Sequence, residues 1–136
     1  MNILIIEDEF AAARRLTKLI LASRSDVVIV GELDSVKGAV EWFRNNEMPD
    51  AAFVDVQLAD GNCFSIFKQC TVTCPIVFVT AHDEYAIQAF DVNAVAYILK
   101  PVREKELQNA MQKLAKTTAV PDYTRLFDLL KKEDKF

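Results

Sequence analysis

With 136 residues, of which 51% are hydrophobic and nine are Phe, the chain is large enough for one domain with its own core, and disorder is excluded over most of its length. A formal net charge of −4 removes any electrostatic reason to expect nucleic acid as the direct partner of this piece. The three cysteines, Cys63, Cys70 and Cys74, show no CxxC spacing and are accompanied by a single histidine, His82, so they read as reduced thiols and not as a disulfide or zinc framework.

The opening apolar run, Ile3-Leu4-Ile5-Ile6, lacks a basic flank and breaks at once into Glu7-Asp8-Glu9. It is too short for a signal peptide or a membrane span, no later stretch is long enough, and the chain reads as soluble and cytoplasmic. A helix follows from about Phe10 to Ser23, with Ala12, Ala13, Leu16, Leu19 and Ile20 inward and Arg14, Arg15 and Lys18 on the other side. Val27-Val28-Ile29-Val30 is a second strand, closed by Gly31. Asp34 or Ser35 can cap the next helix, which runs to about Asn46 with Val36, Ala39, Val40 and Phe43 inward.

Met48-Pro49-Asp50 leads into Ala51-Ala52-Phe53-Val54-Asp55-Val56-Gln57-Leu58, a run apolar enough to be a strand buried on both faces. Asp60-Gly61 marks a turn before a short helix carrying Phe64, Phe67 and Cys70. Pro75 opens a fourth strand, Ile76 to Thr80, and Asp83 starts a helix to about Phe90 or Asp91. The fifth strand is Ala94 to Leu99, followed by Lys100-Pro101. Leu107, Ala110, Met111 and Leu114 then give the last helix of the domain a continuous apolar stripe.

Five β-α repeats with short connections specify an α/β fold: a doubly wound, five-stranded parallel sheet in the flavodoxin-like order 2-1-3-4-5. Beyond Lys116 the pattern changes. Thr117 to Pro121 resembles a linker, and Tyr123, Leu126, Phe127 and Leu130 keep helical spacing. The domain is therefore set at residues 1–118, and 119–136 as a linker and amphipathic helix leading to a further domain absent from this chain.

Asp is depleted in strands and rarely buried without a partner, so Asp55 needs a reason to stand in that run. Either it caps a turn, or it lies at the carboxyl edge of the sheet, where open α/β folds place their chemistry. In the order 2-1-3-4-5, the strand ends bring Glu7, Asp8, Asp55, Thr80 and Lys100 to that edge, while Asp26 and Asp50 lie on the far rim as solvated turn residues. Three crowded carboxylates repel, and Mg²⁺ with the Lys100 ammonium would bring them near neutrality. Such a site suits a phosphoryl group, with Asp55 as nucleophile and Thr80 as hydroxyl donor. Singly each residue has a plainer role, such as N-terminal helix charge for Glu7 and Asp8. Their coincidence at four strand ends carries the functional reading.

Glu7-Asp8, Asp55, Thr80-Ala81 and Lys100-Pro101 together resemble a two-component response-regulator receiver domain. Val79-Thr80-Ala81-His82-Asp83-Glu84-Tyr85-Ala86, Ala89-Phe90 and Tyr97-Ile98-Leu99-Lys100-Pro101 resemble more narrowly the receivers joined to LytTR-type DNA-binding domains. The resemblance implies a bacterial signalling domain, not an enzyme beyond its own phosphorylation and slow dephosphorylation. Asp55 would be the phosphoacceptor, served by a histidine kinase, and Asp8, Asp55 and the Gln57 backbone carbonyl would bind Mg²⁺, with Glu7 acting through water. Thr80 and Tyr97 would be the switch pair, Lys100 would contact the phosphoryl group, and Lys100-Pro101 would be a cis peptide. The output would be a homodimer through the helix after Asp83, the fifth strand and the last helix, with DNA bound only through the missing effector and no membrane partner.

The sequence departs from that pattern at Ala59, where many receivers have Pro, and at Ala96, where the narrower group often has Asp. Gln57 and His82 stand where receivers tune the phosphoryl lifetime, and His82 itself reads as a loop or cap residue. A flavin mononucleotide site is disfavoured because Glu7-Asp8-Glu9 would repel phosphate at the first loop. A haloacid-dehalogenase-like phosphatase needs a second acid two residues after the nucleophile, where this chain has Gln57. The remaining rival is a receiver-like module that only dimerises, without phosphorylation.

Overall fold

The structure, a computed structural model, describes residues 1–81 and 95–116. The expected helix from Asp83, His82, the start of the fifth strand at Ala94, and the tail with its boundary at 118 lie outside the described residues. Within them the order is β1 (Asn2–Ile6), α1 (Phe10–Ser23), β2 (Val28–Leu33), α2 (Val36–Asn45), β3 (Ala51–Val54), β4 (Gln57–Leu58), β5 (Gly61–Asn62), α3 (Phe64–Gln69), β6 (Ile76–Thr80), β7 (Ala96–Leu99) and α4 (Glu104–Lys116). Five strands form a parallel sheet ordered β2-β1-β3-β6-β7, and β4 pairs with β5 in a separate antiparallel hairpin. Once the hairpin is set aside, this is the doubly wound order 2-1-3-4-5.

The two-residue period of each strand divides the core. Ile3, Ile5, Phe53, Val77, Val79 and Ile98 face the layer of α1 and α4. Leu4, Ile6, Val54, Ile76 and Phe78 face the layer of α2 and α3. Each helix presents its stripe accordingly: Ala13, Leu16 and Ile20 from α1, Val36, Ala39, Val40 and Phe43 from α2, and Leu107, Ala110, Met111 and Leu114 from α4 are buried. Ser35 is the N-cap of α2, its Oγ accepting from the Gly38 amide at 3.0 Å.

Two strand boundaries differ from the sequence expectation. Gly31 does not close β2, which continues to Leu33. The register against β1 slips between Ile29 and Gly31, leaving Val30 as an extra, bulged residue. A Cβ at Gly31 would stand 2.9 Å from Trp42 Nε1 and 3.0 Å from Leu4 Cδ1, so glycine is there for close approach of the indole and not for chain reversal. The run from Ala51 to Leu58 is likewise not one strand. β3 stops at Val54, and Val56 and Leu58 are buried by the hairpin fold-back instead. Asp50, on the far rim, is more than a solvated acid, since its Oδ2 accepts from the Asn2 amide at 2.7 Å.

Candidate acidic site at the sheet edge

β1, β3 and β7 each deliver a functional residue one step past their ends, Glu7, Asp55 and Lys100, while Thr80 is the last residue of β6. The Asp55 amide donates to the Ile6 carbonyl at 2.9 Å, the Glu7 amide to Leu33 at 2.8 Å and the Lys100 amide to Thr80 at 2.9 Å. These bonds extend the ladder by one residue and fix Glu7, Asp55, Thr80 and Lys100 along one edge. Asp55 then ends its strand by the chemistry that makes Asp a poor strand residue: its Oδ1 accepts from the Gln57 amide two residues on, at 3.2 Å. Turn-capping and site placement are thus both true of it, one for each carboxylate oxygen.

The other oxygen, Oδ2, accepts from Lys100 Nζ at 2.9 Å, and the same ammonium bonds Glu7 Oε1. Glu7, Asp8 and Asp55 each offer a carboxylate oxygen, all within 4.8 Å of one another. Glu7 and Asp55 are buried and Asp8 is exposed, so the cluster opens to solvent on the Asp8 side. Burial first, and then the hydrogen bond shared with Asp55, push the Glu7 carboxyl up to about 8. Burial also acts on Asp55, but hydrogen bonds from Glu7, Lys100 and Thr80 together with the Lys100 charge outweigh it and hold Asp55 below the usual carboxylate range. The Lys100 ammonium loses hydration by burial, yet its bonds to Glu7 and Asp55 raise it further. These directions favour the protonated form of Glu7 and the ionised form of Asp55, whose charge Lys100 answers.

The donor set fits a hard divalent cation such as Mg²⁺. It consists of oxygens only, and Glu7 Oε2 is buried without a hydrogen-bond partner, the situation a cation or its water shell would relieve. Thr80 is fully buried at the end of β6. Tyr97, in β7, packs against Phe78 with ring centroids 6.1 Å apart, on the face of α2 and α3. The Lys100–Pro101 peptide is cis. A cleft of about 500 Å³ adjoins the cluster, between α1 and the segment after β7, and includes Glu7, Asp55, Ala81, Lys100 and Arg15 in its wall.

Two residues at this edge were not found by sequence reasoning. Arg15, assigned to the solvent side of α1, donates from Nη2 and Nε to the Val102 carbonyl at 2.8 and 3.2 Å, tying α1 to the segment after Lys100. Asp60, read only as half of a turn signal, accepts from the amides of Val36 and Lys37. Neither has a local signature, because both bonds join elements distant in sequence.

Residues 3–112 match the response regulator receiver domain family. The chain is 40% identical over 119 residues to the sensory transduction protein LytT of Bacillus anthracis, covering 85% of this chain and 48% of that protein. It is 38% identical over 125 residues to the transcriptional regulatory protein LytR of Staphylococcus aureus (strain N315), covering 90% of this chain and 50% of the relative. The chain therefore spans about half the length of the curated relatives it matches. Among solved structures, the response regulatory domain of mrkE from Klebsiella pneumoniae superposes with a TM-score of 0.74 at 34% identity, over 85% of this chain and 96% of that one. The signal receiver domain of NarL from Mycobacterium tuberculosis shares the fold with a TM-score of 0.69 at 21% identity, over 86% and 97% of the two chains. The chain belongs to the response regulator receiver family, and within it stands with the LytT and LytR regulators.

Proposed function

We propose that this receiver accepts a phosphoryl group on Asp55 from the phosphohistidine of a histidine kinase, in a Mg²⁺-dependent reaction. The observation that carries the reading is the Glu7–Asp8–Asp55 cluster with the Lys100 ammonium seated on the Asp55 oxygen. An Asp55 oxygen attacks phosphorus, the N–P bond of the phosphohistidine breaks, and the imidazole leaves. Asp8, Asp55 and the Gln57 carbonyl would hold Mg²⁺, with Glu7 acting through water, and the ion would supply positive charge to the transferred oxygens. Lys100 neutralises a second phosphoryl oxygen, and the Thr80 hydroxyl donates to a third. Tyr97 turns inward as Thr80 moves, completing the switch pair.

On this reading the domain is a cytoplasmic signalling element whose catalysis is confined to its own phosphorylation and slow dephosphorylation. Residues 1–118 form the receiver, and 119–136 a linker and amphipathic helix toward a LytTR-type effector through which DNA is bound. Dimerisation through the helix after Asp83, β7 and α4 conveys the signal. The test is incubation with acetyl phosphate and Mg²⁺, followed by intact mass. One added phosphoryl group is expected, abolished by chelation and by Asp55→Asn. An adduct that persists in Asp55→Asn, or none in the native chain, overturns the reading. Sedimentation with a beryllofluoride mimic should show a shift from monomer to dimer, and an unchanged profile would refute the dimer switch.

A further inference from the structure

Asp60 lies outside the acidic cluster, yet it ties the loop after Asp55 to the rest of the fold. That loop is the β4–β5 hairpin, in which Gln57 faces Asn62 and Leu58 faces Gly61, with Gly61 at φ 145°. So short a hairpin has little stability of its own, and Ala59 restricts no backbone angle as Pro would. Its position is set by what holds it. Leu58 is buried in one cluster with Val36, and the Cys63 amide donates to the Val56 carbonyl at 2.8 Å.

The charged tie is Asp60. Its Oδ1 accepts from the Val36 amide at 2.7 Å and its Oδ2 from the Lys37 amide at 3.1 Å. These are amides of the first turn of α2, which have no partner inside the helix, and a carboxylate there also complements the helix dipole. The helix thus has two caps. Ser35 Oγ serves Gly38 from within the same segment, while Asp60 serves Val36 and Lys37 from a loop 24 residues away. Only the second cap connects α2 to the segment that carries Gln57.

We propose that Asp60 is a positioning residue for Mg²⁺ binding: by fixing the hairpin on α2 it holds the Gln57 carbonyl at the acidic cluster. The inference rests on the reading of Glu7, Asp8, Asp55 and the Gln57 carbonyl as a Mg²⁺ site. It explains why a loop without an internal stiffener is anchored at both ends, by Asp55 Oδ1 on the Gln57 amide and by Asp60 on α2.

The test is a MgCl₂ titration of the isotope-labelled chain, followed through the amide signals of Asp55 and Gln57. Asp60→Ala should weaken Mg²⁺ binding roughly tenfold, the lower end of what loss of an outer partner of a metal ligand costs. Asp60→Asn, which keeps one acceptor oxygen, should retain part of the affinity. Ser35→Ala removes the other cap of the same helix, so it should lower the thermal midpoint while leaving Mg²⁺ affinity unchanged. Binding to Asp60→Ala as tight as to the native chain overturns the proposal, as does equal weakening by Ser35→Ala. If Asp60→Ala does not fold, Asp60→Asn against Ser35→Ala decides by the same criterion. A native chain that does not respond to Mg²⁺ refutes the metal site itself, an outcome distinct from a native chain that binds and a variant that matches it.

Discussion

Replacing Lys100 by Met tests the electrostatic logic of the site, because it keeps the unbranched apolar stem, one atom shorter, and removes the charge. Lys100 Nζ lies 2.9 Å from Asp55 Oδ2, and the side chains of Lys100 and Asp55 are 19% and 8% exposed. At an effective dielectric of about 20 the attraction is about 6 kcal/mol before desolvation of the ammonium is subtracted. Deleting one partner of a buried pair costs about 3–5 kcal/mol, chiefly because the other charge is left unanswered. The protonated form of Glu7 is favoured, so the uncompensated charge is that of Asp55, and the lower end, about 3 kcal/mol, is expected for Lys100→Met without metal. Mg²⁺ at about 100 times its dissociation constant returns about 2.7 kcal/mol. Since the ammonium no longer competes for the carboxylates, the variant should bind Mg²⁺ more tightly than the native chain and gain more stability from a given concentration. Urea unfolding with chelator and with Mg²⁺ measures both quantities. A loss below about 1 kcal/mol without metal, the range of exposed pairs, would refute the reasoning. So would an equal Mg²⁺ increment in both proteins.

Glu7 makes stability depend on pH in the direction opposite to most carboxylates. Its native pKa of about 8 exceeds the ordinary 4.5, so the native state binds more protons than the unfolded state between these values. Its contribution is complete below about pH 4.5 and is lost as pH rises through about 8. Urea midpoints in chelator should therefore fall across that window, and Mg²⁺ or Glu7→Gln should flatten the slope. Arg15→Met removes both bonds to the Val102 carbonyl and should cost about 1 kcal/mol, given the partial exposure of the guanidinium, with slower phosphorylation by acetyl phosphate as the segment after Lys100 loosens. Gly31→Ala drives a methyl group against Trp42 and Leu4 and should destabilise by about 1–3 kcal/mol, measured by thermal unfolding with an accompanying change in Trp42 fluorescence. Alkylation of the native protein should reach Cys70 before Cys63 or Cys74: burial raises all three thiols, Cys74 to about 12, but Cys70 is only half-buried.

The sheet order was legible because strictly alternating apolar runs and amphipathic stretches admit few topologies, and the helices because Leu16 and Ile20, or Leu107 and Met111, repeat at the helical period. The acids and Lys100 stood out because polar residues closing apolar strands are improbable for packing alone. The end of β3 was hidden for a physical reason. Val56 and Leu58 are as buried as the strand residues, and an apolar pattern does not distinguish burial by a sheet from burial by a folded-back hairpin. Gly31 misled in the same way, since a close approach and a chain reversal leave the same residue. The ties made by Arg15 and Asp60 were invisible because their acceptor and donors lie 87, 24 and 23 residues away, and nothing local encodes that distance.

Lys100 belongs to two systems at once. Its ammonium reaches from the end of β7 to Asp55 beyond β3 and to Glu7 beyond β1, while its backbone amide is bonded to the Thr80 carbonyl at the end of β6. The inner pair is confined: β1 and β3 have strands on both sides and buried residues on both faces. Beyond β7, among the described residues, no strand follows. A phosphoryl group on Asp55 would change what the ammonium binds, and the adjustment is least resisted at β7, which among the described residues has a strand neighbour on one side only. β6 is buried throughout and, like β1 and β3, has strands on both sides. Thr80 and Tyr97 stand on β6 and β7, Tyr97 half-buried against Phe78. The residue that balances the charge of the proposed acceptor is thereby the one that ties it to the strands proposed to report its modification.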